Sequence, residues 1–391
     1  MPYTDLNPPV RTLLGPGPSN VHPRVLRAMA APLVGHLDPA FLQVMDETKQ
    51  LLKFVFQTEN NLTIPLSGTG SAGMEASLFN LTEEGDEVLV AVNGYFGERM
   101  CQMVPRCGGQ VRRIEAPWGQ AFDPDQVEDA LQEGMVKLVA MVHAETSTGV
   151  LQPLEEISEI AHRYGALLLV DAVTSLGGVE LKVDQWDIDA CYSGTQKCLS
   201  CPPGLSPITF GPRAEEVLLS RRTSVGSWYL DLSLIQRYWG KERTYHHTAP
   251  ISMNYALREA LRLVQEEGLE ARFARHRLNQ RALVAGLEAM GLELLVPEEY
   301  RLPSLTTVRI PAGVEEARVR PRLLKEFNIE IAGGLGDLKG QIWRIGLMGH
   351  SSRRENVFLL LSALEYLLCD EGFSVPRGDA LEAAGQVYQS S

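Results

Sequence analysis

The chain has 391 residues, 45% hydrophobic and 22% charged, which is ordinary for a soluble globular protein of two or three domains. Its formal net charge of −13 argues against a nucleic-acid partner, because no overall positive field attracts a phosphate backbone. No apolar run approaches the roughly 18 residues of a membrane span, and the N-terminus lacks the features of a secretory signal, so we expect a cytoplasmic protein without a membrane partner.

The first two-thirds of the chain alternates short apolar runs with helical patterns. Nearly continuous apolar runs predict buried strands at 87–92, 136–142, 166–170 and 207–210. Asp123 followed by Pro124 predicts a helix that ends near Glu133, and a second apolar helical face lies at 154–161. This alternation predicts an α/β fold with a mostly parallel sheet, whose ligand site lies at the carboxyl ends of its strands.

The pattern changes after about Pro250. Two long helices are predicted at 251–267 and 269–290, separated by Gly268. Further elements follow, with strands at 306–310, 329–331 and 343–345 and helices at 320–327 and 354–368. We therefore expect an N-terminal segment (1–20), a large domain (21–265), a smaller α+β domain (266–370) and a polar tail (371–391) that has a weak helical pattern near Ala380.

Two charged residues stand after neighbouring predicted strands. Asp171 closes the apolar run 166–170, and Lys197 follows the next strand-like segment. A lysine beside a cofactor aldehyde forms a Schiff base, and an aspartate keeps a pyridine nitrogen protonated. Together they predict pyridoxal phosphate (PLP) chemistry. Taken alone, however, Lys197 would be a solvated surface charge and Asp171 a helix N-cap.

A glycine-rich turn at Gly68, Gly70 and Gly73 has the Gly-x-Gly-x-x-Gly spacing. It lies between a possible strand at 62–66 and a possible helix at 74–79, so it could be the fingerprint of a dinucleotide-binding oxidoreductase. Pro65 argues against a central strand there. A glycine-rich turn that leads into a helix also binds phosphate through free backbone N–H groups, and a plain tight turn is the third possibility.

Cys198 and Cys201 form one Cys-x-x-Cys pair, but no second pair or His-x-x-x-His follows at zinc spacing. A non-catalytic metal-binding module therefore remains an alternative. We favour two small buried residues and predict no metal site.

Seven segments together resemble the class V, fold-type I PLP-dependent aminotransferases, in particular the alanine–glyoxylate (serine–pyruvate) group. They occur in the order of the family at 14–20, 67–70, 145–153, 169–178, 192–197, 245–248 and 343–346. The resemblance implies a seven-stranded large-domain sheet, a smaller C-terminal domain and a homodimer with shared sites. Residues 1–20 would pack on the partner subunit and on the small domain.

The resemblance also implies a role for each matched residue. Lys197 would be the Schiff-base lysine, and Asp171 would pair with the pyridine nitrogen. Arg344 would bind the substrate carboxylate, with Gly17 also at the substrate. The other implied cofactor contacts are Thr69, Gly70, Ser71 and Gln196 at the phosphate, Phe96 and Val173 on the two ring faces, Thr146 at the phenolic oxygen, and Tyr245 and Thr248 at the phosphate of the neighbouring subunit.

Two of these positions depart from the mammalian members of the family, which have tryptophan where this chain has Phe96 and histidine where it has Ser71. Arg344 alone could equally be a salt-bridged structural arginine. The implied activity is transfer of an amino group from alanine or serine to glyoxylate, giving glycine and pyruvate or hydroxypyruvate by a ping-pong mechanism. A class V aminotransferase with another donor, an NAD-dependent oxidoreductase and a fold of this type without activity remain as alternatives.

Overall fold

A computed structural model of the protein describes residues 5–390; residues 1–4 of the N-terminal segment and Ser391 of the tail lie outside the described residues. In chain order the strands are β1 (Thr12–Leu13), β2 (Leu62–Ser67), β3 (Glu87–Val92), β4 (Gln110–Glu115), β5 (Leu138–Val142), β6 (Ala144–Glu145), β7 (Val150–Leu151), β8 (Leu167–Asp171), β9 (Ala190–Tyr192), β10 (Leu205–Phe210), β11 (Leu305–Arg309), β12 (Ile329–Glu330), β13 (Ala332–Gly333) and β14 (Ile342–Gly346).

The α-helices are α1 (Pro23–Met29), α2 (Pro39–Phe56), α3 (Gly70–Leu81), α4 (Tyr95–Met103), α5 (Pro124–Gln132), α6 (Glu155–Arg163), α7 (Pro212–Leu219), α8 (Leu232–Trp239), α9 (Ile251–Glu267), α10 (Leu269–Ala289), α11 (Glu316–Phe327), α12 (Arg354–Asp370) and α13 (Asp379–Gln389). Short 3₁₀ helices lie at Val104–Cys107, Glu298–Tyr300, Gly336–Leu338 and Gly349–Ser351. Among residues 5–390, none of the helices combines the length and the apolarity needed to cross a membrane.

The main sheet has seven strands in the order β2-β10-β9-β8-β5-β3-β4. Strand β10 is antiparallel to both of its neighbours, and the other pairings are parallel. Apolar clusters cover both faces, one under α5, α6 and α9 and the other under α3, α4 and α8. The predicted α/β fold with a mostly parallel sheet is confirmed, and burial on both faces explains why its central strands are continuous apolar runs.

Strand β2 lies at the edge of this sheet, which reconciles Pro65 with strand structure. Proline cannot donate a ladder hydrogen bond, so edge strands tolerate it best. Pro65 lies opposite Pro207 of β10, and within residues 5–390 β2 pairs with no other strand.

The C-terminal part contains a three-stranded antiparallel sheet in the order β11-β14-β13. Helices α10, α11 and α12 enclose its apolar core, to which α13 adds the buried Ala380 and Ala384. The segment predicted as a polar tail therefore includes a helix that packs on α10. At the other end of the chain, β1 pairs with β12 in parallel, so residues 12–13 are joined to this small domain.

Candidate active site

Asp171 is the last residue of β8 and is almost completely buried. Its Oδ1 accepts a hydrogen bond from Val173 N at 2.8 Å, and its Oδ2 accepts one from the Tyr192 hydroxyl at 2.8 Å. Burial raises the pKa of the Asp171 carboxyl to about 6, against the lowering effect of these two donors and of the Lys197 charge. Asp171 caps no helix; it is a buried acid at the carboxyl end of a central strand.

Lys197 follows β9 and is only 9% exposed, so it is not a solvated surface charge. Its Nζ donates to the carbonyl of Pro16. Gly17 lies against the same side chain, because a Cβ placed on it would come within 2.8 Å of the Lys197 Nζ. Burial lowers the pKa of the Lys197 ammonium to about 8, and the nearby positive charge of Arg344 adds to this effect.

Three of the residues predicted to form a phosphate cup, Thr69, Gly70 and Ser71, lie at the start of α3. Thr69 is the N-cap, and its side chain makes no capping hydrogen bond. Ala72 N donates to the Thr69 carbonyl at 2.7 Å, whereas the N–H groups of Gly70 and Ser71 have no partner among the described residues and are open to a ligand. Gly70 lies beside Val173 and Gly194, because a Cβ placed on it would approach both within 3.6 Å. The Gln196 Oε1 atom, close to Gly194, is buried without a hydrogen-bond partner among the described residues.

The residues predicted to contact the cofactor ring are Phe96, Val173 and Thr146. Phe96, near the start of α4, and Val173 both pack on the same apolar cluster. The Thr146 hydroxyl is hydrogen-bonded to the Thr174 hydroxyl in a buried pair. The structure thus brings Val173 next to Gly70 and places Thr146 beside the segment that follows Asp171.

Glu145 holds the start of α4, which carries Phe96. Its Oε2 accepts a hydrogen bond from Phe96 N at 3.1 Å, and its Oε1 accepts from Ser147 N and the Ser147 hydroxyl at 2.9 and 2.6 Å. Burial raises the pKa of the Glu145 carboxyl to about 7. The carboxyl holds the backbone of Phe96 against the end of β6.

Arg344 lies in the middle strand of the small sheet and is 6% exposed. Its Nε donates to the carbonyl of Gly333 at 2.7 Å and its Nη1 to the carbonyl of Thr146 at 3.1 Å. Burial lowers the pKa of the guanidinium to about 10, partly offset by the Glu145 charge. Within residues 5–390 no carboxylate forms an ion pair with Arg344, so the salt-bridged structural alternative is wrong.

Tyr245 and Thr248 lie in the loop between α8 and α9 and are exposed on the surface of the chain. The Tyr245 ring is 56% exposed and approaches the ring of His36, with the centroids 5.1 Å apart. Among the described residues, no hydrogen bond joins either residue to the phosphate cup of its own chain.

The glycine turn does not have the setting of a dinucleotide fingerprint. That fingerprint follows a strand of a parallel βαβ unit, whereas β2 is an edge strand that pairs antiparallel with β10. Cys198 and Cys201 are buried, and the Cys198 thiol donates to the Thr174 carbonyl at 3.3 Å. Within the described chain, His, Cys, Asp and Glu side chains form no group of three that could hold a metal ion.

The residues present fit PLP. A buried amine, a buried carboxyl and the free N–H groups at the start of α3 match the aldehyde, pyridine and phosphate ends of that cofactor.

Sequence reasoning missed Tyr192, Glu145 and Arg99 as site residues. Tyr192 pairs directly with Asp171 across β8 and β9, a relation that only the strand register reveals. Arg99 donates from Nη1 to the Ser71 hydroxyl at 3.1 Å. The sequence signal that could have identified Arg99 is its position three residues after Phe96, since this spacing places two side chains on the same face of a helix.

Comparison with known proteins shows the family of the chain. The profile of the family "Aminotransferase class-V" matches residues 13–341. The (S)-ureidoglycine–glyoxylate transaminase of Bacillus subtilis (strain 168) is 44% identical over 405 residues, covering 99% of this chain and 97% of that protein. The alanine–glyoxylate aminotransferase of Rattus norvegicus is 44% identical over 367 residues, covering 93% and 89%. A crystal structure of alanine–glyoxylate aminotransferase from Nostoc sp. is 55% identical, with a TM-score of 0.93 and coverage of 94% and 98%.

Proposed function

Because the chain belongs to the class V aminotransferase family, which is PLP-dependent, we propose that this aminotransferase moves the amino group of a small amino acid to glyoxylate. The observation that carries the proposal is the contact between Arg344 and the Thr146 carbonyl. This hydrogen bond joins Arg344, a buried cation that has no carboxylate partner among the described residues, to Thr146, which is predicted to contact the cofactor.

Lys197 would act as the proton-transfer group. When bound, PLP supplies the electron sink that makes the substrate α-proton acidic. The Lys197 Nζ would remove that proton and deliver it to the aldehyde carbon of the cofactor. With a pKa of about 8, roughly a tenth of the amines are neutral at pH 7, against about 0.03% at the ordinary 10.5. The same burial that destabilises the ammonium therefore supplies the base.

Asp171 would keep the pyridine nitrogen protonated. Its two donors, Val173 N and the Tyr192 hydroxyl, fix the carboxyl at the end of β8. A cationic ring nitrogen beside the carboxyl would lower its pKa below the value of about 6 and keep it ionised at neutral pH.

Arg344 would bind the substrate carboxylate through its fork of N–H groups. Hydrogen bonds to Gly333 and Thr146 orient the guanidinium, and the buried cation lacks a carboxylate partner among the described residues. A small α-amino or α-keto acid supplies that missing charge. Because each acid binds in turn, a ping-pong scheme is expected.

The first test is spectroscopic. The purified protein should absorb in the visible range as a PLP enzyme, and borohydride should attach the cofactor to the peptide that contains Lys197. Lys197→Ala should abolish this attachment. A colourless wild-type protein that takes up no added PLP would refute the cofactor assignment.

The amino donor requires its own test, because the similar proteins use different donors by name. We propose alanine or serine, with (S)-ureidoglycine as the second candidate that the B. subtilis relative favours. Each donor should be mixed with the protein in single turnover, followed by glyoxylate. Both proposals for the donor would be contradicted if aspartate were the one donor that removed the cofactor absorbance and glyoxylate did not restore it.

We also propose a homodimer with shared sites. Tyr245 and Thr248 are exposed, and among the described residues neither forms a hydrogen bond with the phosphate cup of its own chain, which suits a role at a partner's cup. Apolar side chains near them in sequence or space, Leu33, Leu37 and Trp228, are exposed as well. Sedimentation should give twice the chain mass.

Subunit mixing tests whether the sites are shared. Lys197→Ala and the double variant Tyr245→Ala/Thr248→Ala should each be weakly active alone. If sites are shared, exchange of subunits gives a mixed dimer with one intact site, and activity should rise above that of either parent. No rise despite mass-verified mixed dimers would refute sharing.

A further inference from the structure

Arg99 lies on α4, three residues after Phe96, and contacts the cofactor site in two ways. Its Nη1 donates to the exposed Ser71 hydroxyl at 3.1 Å, in the first turn of α3. Its guanidinium carbon lies 4.9 Å from the centre of the Phe96 ring and 5.3 Å from that of Tyr95. One side chain therefore joins the helix that forms the phosphate cup to the aromatic residue predicted to face the cofactor ring.

The charge of Arg99 is not neutralised by a neighbouring acid. Over residues 5–390 no carboxylate forms an ion pair with it, and the Ser71 hydroxyl is its hydrogen-bond partner. Its positive charge reaches the catalytic pair, because it contributes to lowering the pKa of both Asp171 and Lys197. Because Arg99 has no counter-ion among the described residues, it can bind an anion beside Ser71.

The phosphate cup needs such a cation. The predicted phosphate contacts Thr69, Gly70, Ser71 and Gln196 are all uncharged, as are Tyr245 and Thr248. A phosphate monoester carries a charge of about −1.5 to −2 at pH 7, whereas a helix N-terminus offers only about half a positive charge. Arg99 is the one cationic side chain among the described residues that hydrogen-bonds to a member of the cup.

We propose that Arg99 is the charged phosphate-binding residue of this site and that it also positions Phe96 through its contact with the ring. The proposal rests on the proposed PLP function. In this proposal the cation comes from α4, about one helical turn after Phe96. It contacts the phosphate cup at Ser71, which is itself uncharged.

The test compares two ligands that differ only in the phosphate. Apo protein should be titrated with PLP and with pyridoxal, for wild type, Arg99→Gln and Arg99→Lys, following quenching of intrinsic fluorescence. Loss of a charge-assisted hydrogen bond should weaken PLP binding about 10- to 100-fold in Arg99→Gln. Pyridoxal binding should change less than about twofold, and Arg99→Lys should recover part of the loss because it keeps the charge.

Arg106→Gln is the matched control, since it removes the same charge from an exposed position close in sequence but outside the cup. It should bind PLP like wild type. The salt dependence of PLP affinity should become shallower in Arg99→Gln and stay unchanged in the control.

Three outcomes would overturn the proposal. Equal weakening of PLP and pyridoxal would make Arg99 a support of Phe96 alone, and an unchanged PLP affinity would remove it from the cup. A wild-type apo protein that binds neither ligand would overturn it together with the proposed function, which separates that failure from the first two. Circular dichroism and urea unfolding of Arg99→Gln should match wild type, and pyridoxal binding itself reports that the site is folded.

Discussion

Replacing Lys197 by methionine should stabilise the apo protein at neutral pH. The Lys197 ammonium is buried, and burial lowers its pKa from the ordinary 10.5 to about 8. Each pKa unit corresponds to about 1.4 kcal/mol, so holding the charged form in the folded protein costs on the order of 3 kcal/mol below pH 8. Methionine fills a similar volume without a charge.

One contact opposes this gain. The Lys197 Nζ donates to the Pro16 carbonyl, and methionine leaves that oxygen without its donor. A lost hydrogen bond of this kind costs about 1 kcal/mol. The expected net stabilisation at pH 7 is therefore about 2 kcal/mol.

The pH dependence gives the sharper test. The folded pKa lies below the unfolded one, so between about pH 8 and 10.5 the unfolded chain binds more protons, and wild-type stability rises with pH. The cost is fully present below pH 8 and absent above 10.5. The advantage of Lys197→Met should therefore shrink as the pH rises from 8 to 10.

The assay is equilibrium urea unfolding of cofactor-free protein at several values between pH 7 and 10, with refolding to check reversibility. Lys241→Met, at an exposed position, is the control and should show no such trend. The reasoning fails if Lys197→Met is no more stable than wild type at pH 7, or if its advantage is the same at pH 7 and 10.

Three further substitutions test the other buried ionisable groups. Asp171→Asn keeps the shape but loses the charge, so kcat should fall about 100-fold or more while the fold is retained; near-normal turnover would contradict its role. Arg344→Lys replaces a two-pronged contact by a point charge, and single-turnover titrations should show at least about 10-fold weaker binding of alanine and glyoxylate with an unchanged cofactor spectrum. Burial raises the pKa of Glu145 from 4.5 to about 7, so its ionised form destabilises the fold as the pH rises through that range. Urea unfolding of Glu145→Gln should shift in favour of the variant between pH 5 and 8, and a parallel pH trend in both proteins would count against it.

Most of the large-domain architecture could be predicted because its strands are buried on both faces. The apolar run predicted at 87–92 is β3 to the residue, and Gly268 separates two helices that begin where predicted. Its φ of +80° is the left-handed conformation that glycine adopts most readily. In these places the local pattern and the tertiary environment demand the same residues.

The element that was missed, β1, and the one that was indicated only by a weak helical pattern near Ala380, α13, depend on distant partners. Strand β1 is two residues long and pairs with β12, more than 300 residues away, so no local pattern marks it. Helix α13 is only weakly apolar, and it is held by packing on α10 and by the Tyr388 hydroxyl, which donates to Asn279 Oδ1 at 2.7 Å. Tertiary contacts, not propensity, determine both.

In the candidate site, too, some residues could be predicted from the sequence and others depend on distant contacts. Asp171 and Lys197 could be predicted since each closes a recognisable segment and its chemistry is distinctive. The Tyr192 hydroxyl on Asp171 follows from the register of β8 and β9. The contact of Arg344 with Thr146 joins the small domain to the large one, and a local sequence pattern contains no information on such a contact.

Four ionisable groups of this site are buried, and each pKa is shifted toward the neutral form. Burial raises the pKa of Asp171 and Glu145 and lowers that of Lys197 and Arg344. Among the described residues none of the four forms an ion pair with another, so each retains much of its desolvation cost in the folded protein. A ligand that brings a cationic ring nitrogen to Asp171 and a carboxylate to Arg344 relieves these costs on binding, whereas a neutral molecule of the same size does not. We therefore expect these buried charges to favour a ligand that carries a cationic ring nitrogen and a carboxylate over a neutral ligand of the same size.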